Sequence, residues 1–391
     1  MCTLLYMTET RILIIGGGIH GTFLARSLLR YAGIPRSDLV VLDPTGEPVH
    51  AWKHRCCIVG MTHLRSTSSH NMEPDFRSLR RWATANGYSY ESHFLDPYAR
   101  PSLEVFHAHM DSVVSTDRTA DRFVKGYARS LRRIREGWSV TTDEGDLSAR
   151  VIVLATGPGE VRMPSWAHGS RVAHVYGPQY RDPERSGMRI AVIGGGISAW
   201  QYACRHAEGH EVTVLSPHDI QVSMFDSDPG YLGPKKLDAY RMKPAREREE
   251  ELHRARRPGT VPPDLEPRIR ESISNHGLEF RICMIEKMLE HESGVMLVDT
   301  DGIPHGPYDK VVCATGFTGQ QAPGGLVTRI ATDLQLPRSP EGYPRLGRDL
   351  SWTDGIFVSG GAAALELGPT GGNIIGAHKA YRILRETLSR P

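Results

Sequence analysis

A glycine-rich segment that occurs twice constrains the fold of this 391-residue chain more than any other feature. RILIIGGGIHG (11–21) and RIAVIGGGISA (189–199) each join a short apolar run to a glycine cluster and then to a helical pattern. A second pair follows in the same order, because VIVLATG ends at Gly157 and VVCATG ends at Gly316. Repetition in a fixed order predicts two related units of one design.

The first segment has the spacing GxGxxG, with glycines at positions 16, 18 and 21. Between a strand and a helix, Gly16 makes a tight turn, Gly18 lets the backbone approach a pyrophosphate, and Gly21 lets helix and strand pack closely. The free N–H groups at the start of the helix favour the same anion. Asp43 ends the next predicted strand, where a carboxylate accepts hydrogen bonds from ribose hydroxyls. Together these residues predict a dinucleotide site.

The second segment places Gly194 and Gly196 at the matching positions, with Ala199 as the third small residue. Ser198 lies within this loop and is also expected at the cofactor. Ser216, and no acidic residue, ends the next predicted strand. A carboxylate there would favour NAD and repel a 2′-phosphate, so its absence favours NADPH over NADH.

The order of these motifs predicts an α/β fold with two Rossmann-like dinucleotide-binding domains, the second inserted into the first. We expect the first domain at 7–187, with a long irregular loop at 44–101, and its C-terminal part at 305–391. The second domain is expected at 188–304. It includes a charged helical arm at 238–275, which we interpret as solvated because opposite charges recur four residues apart.

Composition excludes several other classes of protein. The formal net charge is +2, and no apolar run reaches the ~18 residues of a membrane span, so neither nucleic acid nor membrane is an expected partner. The six cysteines form no CxxC and no HExxH motif occurs, so no metal is expected. The N-terminal segment lacks a signal-peptide pattern, which predicts a cytoplasmic location. Oligomeric state stays open.

The plan of an N-terminal glycine loop, a second nucleotide fold and a returning C-terminal segment resembles the two-dinucleotide-binding-domain flavoproteins. Among them, the chain resembles the flavin-dependent N-hydroxylating monooxygenases of the lysine and ornithine type and the flavin-containing monooxygenases. GGGIHG, GGGISA and the two ATG turns carry the resemblance, and AWKHRCCIVGMTHLRS (51–66) is similar to the tryptophan-bearing flavin loop. The resemblance implies FAD in the first domain and NADPH in the second, and it makes 44–101 the flavin and substrate loop.

The same resemblance implies a reaction. NADPH would reduce FAD, and reduced FAD would take up O₂ as a C4a-hydroperoxide that hydroxylates the nitrogen of a small amine or amino acid. Two alternatives stay open: an NAD(P)H-dependent flavin reductase or dehydrogenase without oxygen insertion, and a nucleotide-binding redox sensor with little turnover.

Further cofactor contacts are expected from the flavin loop, the two ATG turns and the C-terminal glycine turn. Trp52 and Met61 would pack on the isoalloxazine, with simple core packing as the alternative. The N–H groups that precede the last helix would face the pyrimidine oxygen of the flavin. The turn residues in this set are Thr156, Gly157, Thr315, Gly316, Thr370, Gly371 and Gly372.

Three residues of the flavin loop are candidates for the chemistry itself. Arg65 would neutralise a phosphate, the flavin N1 charge or a substrate carboxylate, with a surface salt bridge as the alternative. His54 would act as an acid or hydrogen-bond the flavin, and a structural histidine is the alternative. Asn71 would donate to a peroxide or flavin oxygen, and a turn-capping role is the alternative.

Overall fold

The computed structural model describes residues 9–275, 277–319 and 325–389. Residues 7 and 8, where the first predicted domain begins, lie outside the described residues. The strands are β1 Glu9–Ile15, β2 Leu39–Asp43, β3 Phe94–Leu95, β4 Arg100–Pro101, β5 Phe123–Lys125, β6 Ala128–Ile134, β7 Gly137–Thr142, β8 Gly145–Leu154, β9 Val172–His174, β10 Arg189–Ile193, β11 Glu211–Ser216, β12 Gln221–Val222, β13 Thr260–Val261, β14 Glu279–Ile282, β15 Ile285–His291, β16 Gly294–Asp299, β17 Pro304–Tyr308, β18 Lys310–Cys313, β19 Ser351–Thr353 and β20 Ile356–Val358. The α-helices are α1 Ile19–Tyr31, α2 His50–Ile58, α3 Ser78–Ala85, α4 Tyr90–His93, α5 Leu103–Thr116, α6 Ile197–His206, α7 Pro234–Met242, α8 Ala245–Ala255, α9 Leu265–Asn275, α10 Leu326–Asp333, α11 Ala364–Leu367 and α12 Ile374–Leu388.

The first large sheet has the order β19-β20-β8-β1-β2-β5, and the β6–β7 hairpin extends it from β8. Its centre is parallel, with Ile12 of β1 paired to Leu39 of β2 on one side and to Val151 of β8 on the other. The middle of β1 is completely buried, as expected for an apolar strand covered on both faces. β20 runs parallel to β8, so the C-terminal segment returns to this sheet as predicted.

The second sheet is parallel throughout and has the order β14-β11-β10-β18-β9. Two strands of this sheet, β9 and β18, therefore lie outside the range 188–304 that was predicted for the second domain. β18 lies beside β10, with Ile190 paired to Lys310, and β9 lies beside β18. The VVCATG segment thus completes the second sheet, because an apolar run carries no signal that says which neighbouring sheet it joins.

The predicted irregular loop at 44–101 contains helices α2, α3 and α4. α3 spans Ser78–Ala85, with Leu79 and Ala83 buried. α2 was missed because HAWKHRCCI shows no helical repeat of apolar residues, and only Cys56 and Ile58 of this helix are fully buried. The loop therefore holds a helix directly after the first two strands of the sheet.

The charged segment 238–275 contains the second half of α7 and all of α8 and α9. Two of the expected ion pairs are present, Arg246–Glu250 at 3.5 Å and Glu266–Arg270 at 2.6 Å. Its interpretation as a solvated arm is wrong for α7 and α8. The buried Tyr240 hydroxyl donates to the carbonyl of Ala364 at 3.2 Å, and Arg248 pairs with Glu366 at 2.6 Å. These helices dock on α11 because their inner face carries buried side chains. Among the described residues, no helix has both the length and the hydropathy to cross a membrane.

Candidate functional site

The first glycine turn follows β1 at the carboxyl edge of the first sheet. Gly16 has φ +107°, and its N–H donates to the carbonyl of Leu42 at 2.8 Å. A Cβ on Gly16 would lie 2.3 Å from the carbonyl oxygen of Ala155, and a Cβ on Gly21 would lie 1.7 Å from that of Gly16. Both positions therefore require glycine, for the two packing reasons that the sequence predicted.

Gly18 differs from these two glycines because it faces open space. A Cβ on Gly18 would meet nothing within 4 Å. Gly18 is the N-cap residue of α1, and among the described residues no side-chain cap is present at this end of the helix. A turn with an open face and free helical N–H groups fits a diphosphate, which needs donors and close backbone approach.

Asp43 lies beside this turn at the end of β2 and is buried. One oxygen of its carboxylate accepts the N–H of Gly17 at 2.8 Å. The other oxygen accepts from the N–H of Thr45 at 2.9 Å and from its hydroxyl at 2.7 Å. The carboxylate thus orients the glycine turn and keeps acceptor capacity at the position where a ribose binds in this kind of fold.

The second glycine turn repeats this geometry. Gly194 has φ +130°, and its N–H donates to the carbonyl of Leu215 at 2.9 Å. A Cβ on Gly194 would lie 2.8 Å from the carbonyl oxygen of Ala314, just as a Cβ on Gly16 would crowd the carbonyl oxygen of Ala155. Gly196 caps α6 without a side-chain cap, and a Cβ there would approach nothing closer than 3.7 Å. This turn also fits a diphosphate.

The second site differs at the position that corresponds to Asp43. A Cβ on Gly195 would lie 2.3 Å from the Ser216 hydroxyl and 2.6 Å from Cε1 of His218. The Ser216 hydroxyl donates to the carbonyl of His218 at 2.8 Å. A hydroxyl and an imidazole thus stand beside the turn where the first site has a carboxylate, and neither carries the negative charge that would repel a 2′-phosphate.

The two ATG turns lead into segments that pair with each other. Ala155 donates its N–H to Ile15 and Ala314 donates to Ile193, each at 2.8 Å, so each turn is fixed beside its own glycine turn. The segments that follow are joined by isolated bridges, Gly159 to Gly319 and Val161 to Phe317. The hydroxyl of Thr315 donates to the carbonyl of Arg162. Thr156 and Gly157 occupy the same position after β8, and a Cβ on Gly157 or Gly316 would meet open space.

The predicted ring-packing residues, Trp52 and Met61, take different positions. Trp52 lies on α2 with its ring 5.3 Å from Phe106 and 5.5 Å from His107. Met61 follows α2 and packs against the apolar cores of both large sheets. Met61 therefore lies at the junction of the two units, and Trp52 packs on α5 of the first unit.

The C-terminal glycine turn is fixed by a buried lysine that the sequence did not indicate. Lys379 on α12 donates to the Thr370 hydroxyl at 2.8 Å, to the carbonyl of Tyr231 at 2.7 Å and to that of Leu367 at 3.2 Å. Burial lowers the pKa of Lys379 to about 7. Gly371 and Gly372 lie between Thr370 and α12, whose first N–H groups have no side-chain cap. The N–H of Gly371 donates to the carbonyl of Gly368 at 2.8 Å, so the donation from this turn to a flavin stays a prediction.

His20 connects the first glycine turn to the C-terminal turn. Its Nδ1 lies 2.9 Å from the Ser359 hydroxyl, and its Nε2 lies 3.1 Å from the carbonyl of Asn373. Burial lowers the pKa of His20 to about 4, so the ring is neutral at neutral pH. Sequence reasoning missed this role, because both partners are more than 330 positions away along the chain.

The structure does not bring the three predicted chemical residues together. His54 is exposed on α2, with its ring 6.4 Å from that of His50. Arg65 donates to the carbonyls of Ser223 and Met224 at 2.6 and 3.0 Å and to the Thr260 hydroxyl at 2.8 Å. Its guanidinium thus joins the flavin loop to the β12–β13 pair, which supports a tethering role in place of the predicted neutralising one.

Asn71 is completely buried, and its amide is used within its own turn. Its Nδ2 lies 3.2 Å from the carbonyl of Asp75, and its Oδ1 accepts the N–H of Glu73 at 2.8 Å. These bonds correspond to the turn-capping alternative and not to the predicted donation to a flavin oxygen.

A separate cluster on the edge of the second unit contains metal-ligand side chains. Single ligand atoms of Cys283, Asp299 and His305 lie within 4.8 Å of one another. His305 Nε2 lies 2.8 Å from the Asp299 carboxylate, which also accepts the N–H groups of Asp301 and Ile303. The hydrogen bonds of Asp299 and His305 close the turn between β16 and β17.

Residues 13–159 match the model of a protein family described as FAD-NAD(P)-binding. This range holds the first glycine turn, Asp43 and the first ATG turn. Over 248 residues, or 58% of the chain, the sequence is 27% identical to a Baeyer-Villiger monooxygenase from Streptomyces coelicolor. The match spans 40% of the length of that relative.

Two solved structures have the same fold over nearly the whole chain. An ornithine hydroxylase from Pseudomonas aeruginosa superimposes with a TM-score of 0.77 at 19% identity, covering 98% of this chain and 99% of the other. An ornithine N-hydroxylase from Kutzneria sp. 744, described with reduced FAD, NADP⁺ and L-ornithine, gives 0.76 at 17% identity with the same coverage. The predicted α/β fold with two dinucleotide-binding domains is confirmed. The chain thus has a segment similar to the FAD-NAD(P)-binding family and shares its overall fold with these two ornithine hydroxylases.

Proposed function

We propose that this chain is an FAD- and NADPH-dependent monooxygenase that hydroxylates the nitrogen of a small amine or amino acid. The observation that carries the proposal is the pair of glycine turns with the same geometry, each at the carboxyl end of a central parallel strand in one of the two large sheets. One turn has a carboxylate beside it and the other has a serine and a histidine, which suits two different dinucleotides. The fold shared with two ornithine hydroxylases supports nitrogen as the site of oxidation.

In this proposal the first turn holds the FAD diphosphate through Gly16, Gly18 and Gly21, and Asp43 accepts from the adenosine ribose. The second turn, with Gly194, Gly196 and Ser198, holds NADPH. Thr370 and Gly372 present N–H groups to the flavin ring, beside the N-terminal ends of α1 and α12, while Gly371 donates its N–H to Gly368 and holds the turn in shape. Met61 borders both sites, so it lies where a nicotinamide and a flavin would meet.

Bound FAD would supply electron transfer and oxygen activation. The net reaction balances as NADPH, a proton, O₂ and the amine giving NADP⁺, water and the hydroxylamine. The chain's residues bind and orient the two dinucleotides, and the apolar cores that meet at Met61 exclude water between them. The lack of a shared acid–base cluster among His54, Arg65 and Asn71 agrees with chemistry that depends on the cofactor.

A second candidate activity is the insertion of oxygen into a ketone. The sequence match to a Baeyer-Villiger monooxygenase favours it, since this relative has higher sequence identity than either of the two hydroxylases. Both activities use the same two dinucleotides, so they differ only in the acceptor of the oxygen atom.

The test follows the flavin and the products of the purified protein. We expect an oxidised-flavin spectrum that NADPH bleaches anaerobically, followed by hydroxylamine formation when O₂ and ornithine, lysine or a diamine are added. A product from cyclohexanone instead would establish the second activity. Bleaching without either product would identify a reductase, and bound flavin that NADPH fails to bleach would identify a nucleotide-binding sensor. Absence of flavin after reconstitution with FAD would refute the proposal.

A further inference from the structure

Arg55 on α2 lies in the cleft between the two units and makes no hydrogen bond or ion pair with any residue that the structure describes. Its guanidinium carbon lies 4.9 Å from the ring centre of Phe317 and 5.9 Å from that of Tyr176. The two rings are stacked, with centroids 5.7 Å apart and planes 7° from parallel. The cation thus rests on an aromatic surface, which supports it but leaves its donors free.

The surroundings of Arg55 provide no negative charge. Burial raises the pKa of Tyr176 to about 12 and that of Cys56 to about 12, so both groups are neutral at neutral pH. Burial also lowers the pKa of Arg55 itself, with only Tyr176 and Cys56 opposing this shift. A half-buried guanidinium without a counter-charge is unfavourable, because desolvation removes water and nothing replaces it. Such a group is explained if an anionic ligand completes the site.

The aromatic surface belongs to the second nucleotide site. Tyr176 follows β9 and Phe317 follows β18, so both lie at the carboxyl edge of the second sheet. The Tyr176 hydroxyl donates to the hydroxyl of Ser198 at 2.8 Å, and Ser198 is the second residue of α6. The rings that carry the cation are therefore hydrogen-bonded to the start of the helix that follows Gly194 and Gly196.

The helix that carries Arg55 is fixed to the last turn of α6, the same helix whose first turn forms the second nucleotide site. Arg205 on α6 donates to the carbonyls of Cys57 and Ile58, the last residues of α2, at 2.6 and 2.5 Å. Gly60 lies against the stem of Arg205, where a Cβ would come within 3.0 Å of its Cδ. Because α2 ends on α6, the distance from Arg55 to the α6 N-terminus is set by direct contact between the two units and not by a loose loop.

We infer that Arg55, contributed by the first unit, binds the diphosphate of the nicotinamide dinucleotide held by the second unit. This inference rests on the proposed function for the identity of that dinucleotide. A guanidinium donates two parallel hydrogen bonds to phosphate oxygens and adds to the free N–H groups of the α6 N-terminus. Arg55 is then a positioning residue that joins the FAD-bearing unit to NADPH, so that the cofactor is held from both sides of the cleft.

The test compares three FAD-loaded proteins: wild type, Arg55→Met and Arg55→Lys. Lys53→Met is the matched control, because Lys53 lies on the same helix and pairs with Asp111 away from the cleft. We expect Arg55→Met to weaken NADP⁺ binding, measured by calorimetry, by about 10- to 100-fold. Arg55→Lys should give an intermediate loss, since lysine keeps the positive charge but cannot donate two parallel hydrogen bonds. Binding of adenosine 2′-monophosphate, which lacks the diphosphate, should stay within about twofold in all variants.

Thermal unfolding without nucleotide separates this role from simple packing. Loss of an unpaired half-buried charge should leave the Tm of Arg55→Met equal to that of wild type or higher, with FAD content unchanged. Equal NADP⁺ affinity in wild type and Arg55→Met would overturn the inference, as would a Tm lower by several degrees or an equal loss of adenosine 2′-monophosphate binding. If wild type itself binds no NADP⁺, the proposed function fails together with the inference.

Discussion

The carboxylate of Asp43 accepts the backbone N–H of Gly17 across 2.8 Å, which joins the end of β2 to the middle of the first glycine turn. Asp43→Ala leaves this buried N–H without a partner and should lower the free energy of unfolding by about 1–3 kcal/mol. We expect the same variant to lose FAD, because the turn loses its orientation and the ribose loses an acceptor.

Asp43→Asn separates the two effects, since its amide oxygen can still accept from Gly17. Urea unfolding should be close to wild type, while FAD content after dialysis falls. Asp43→Ala with wild-type stability and full flavin content would show that the hydrogen bond has neither function.

The two glycines that face open space, Gly18 and Gly196, predict different defects when they are replaced. A Cβ on Gly18 or on Gly196 meets no atom closer than 3.7 Å, so Gly18→Val and Gly196→Val should both fold. Gly18→Val should lack flavin, because the side chain occupies the space of the FAD diphosphate. Gly196→Val should keep flavin but fail to reduce it with NADPH, while dithionite still bleaches it. Absorption spectra before and after each reductant distinguish these outcomes, and retained flavin in Gly18→Val would contradict the assignment of the first site.

Buried histidines predict loss of stability in mild acid. Burial lowers the pKa values of six histidines from 6.5 to about 4: His20, His70, His109, His174, His206 and His378. Below pH 6.5 the unfolded chain binds protons that the folded chain cannot, so this stability is complete above pH 6.5 and falls as the pH approaches 4. Each histidine contributes a slope of up to about 1.4 kcal/mol per pH unit.

Urea unfolding between pH 7 and 4 measures this slope. His378→Gln, whose amide can donate to the Asn71 carbonyl as the imidazole does at 2.8 Å, should reduce it. His54→Gln, an exposed change, should leave it as in wild type. A free energy of unfolding that stays constant across the window would disprove the prediction.

Arg65 should contribute stability and domain order more than catalysis. Arg65→Met removes donors from Ser223, Met224 and Thr260, and we expect the free energy of unfolding to fall by about 2–4 kcal/mol. Hydrogen exchange should increase at β12 and β13 before the rest of the second sheet. Arg81→Met, which breaks an exposed pair with Asp75, should change stability by less than about 0.5 kcal/mol. If Arg65→Met has the hydrogen exchange and stability of wild type but no turnover, Arg65 acts in the chemistry and not as a tether.

The sequence predicted those parts of the fold that follow from short local patterns. Gly16 and Gly194 could be placed because a tight turn between an apolar strand and a helix has a fixed spacing. The side chain of Asp43 was predicted correctly beside the turn, since parallel strands end at the same edge of a sheet. Such features depend on neighbours within one strand–turn–helix unit.

Features that depend on distant contacts were not predictable in this way. Nothing near Lys310 indicates that β18 joins the second sheet, because its partner Ile190 lies 120 positions earlier. The free cation of Arg55 stands out only when its aromatic neighbours and the lack of a counter-charge are known. Arg65 was assigned to chemistry because its backbone partners in the second unit cannot be read from residue types.

The paired segments after the two ATG turns limit how the units can move. The N–H of Arg162 donates to Gly316, and that of Thr318 donates to Glu160, each at 2.9 Å. One covalent crossing would let the units swivel freely, but two crossings bonded to each other resist torsion and permit bending about a single axis. We expect any opening that admits or releases a nucleotide to bend about these paired crossings along one arc. In each catalytic cycle of the proposed enzyme, closure along that arc would return the nicotinamide to the same face of the flavin, which fixes the stereochemistry of hydride transfer.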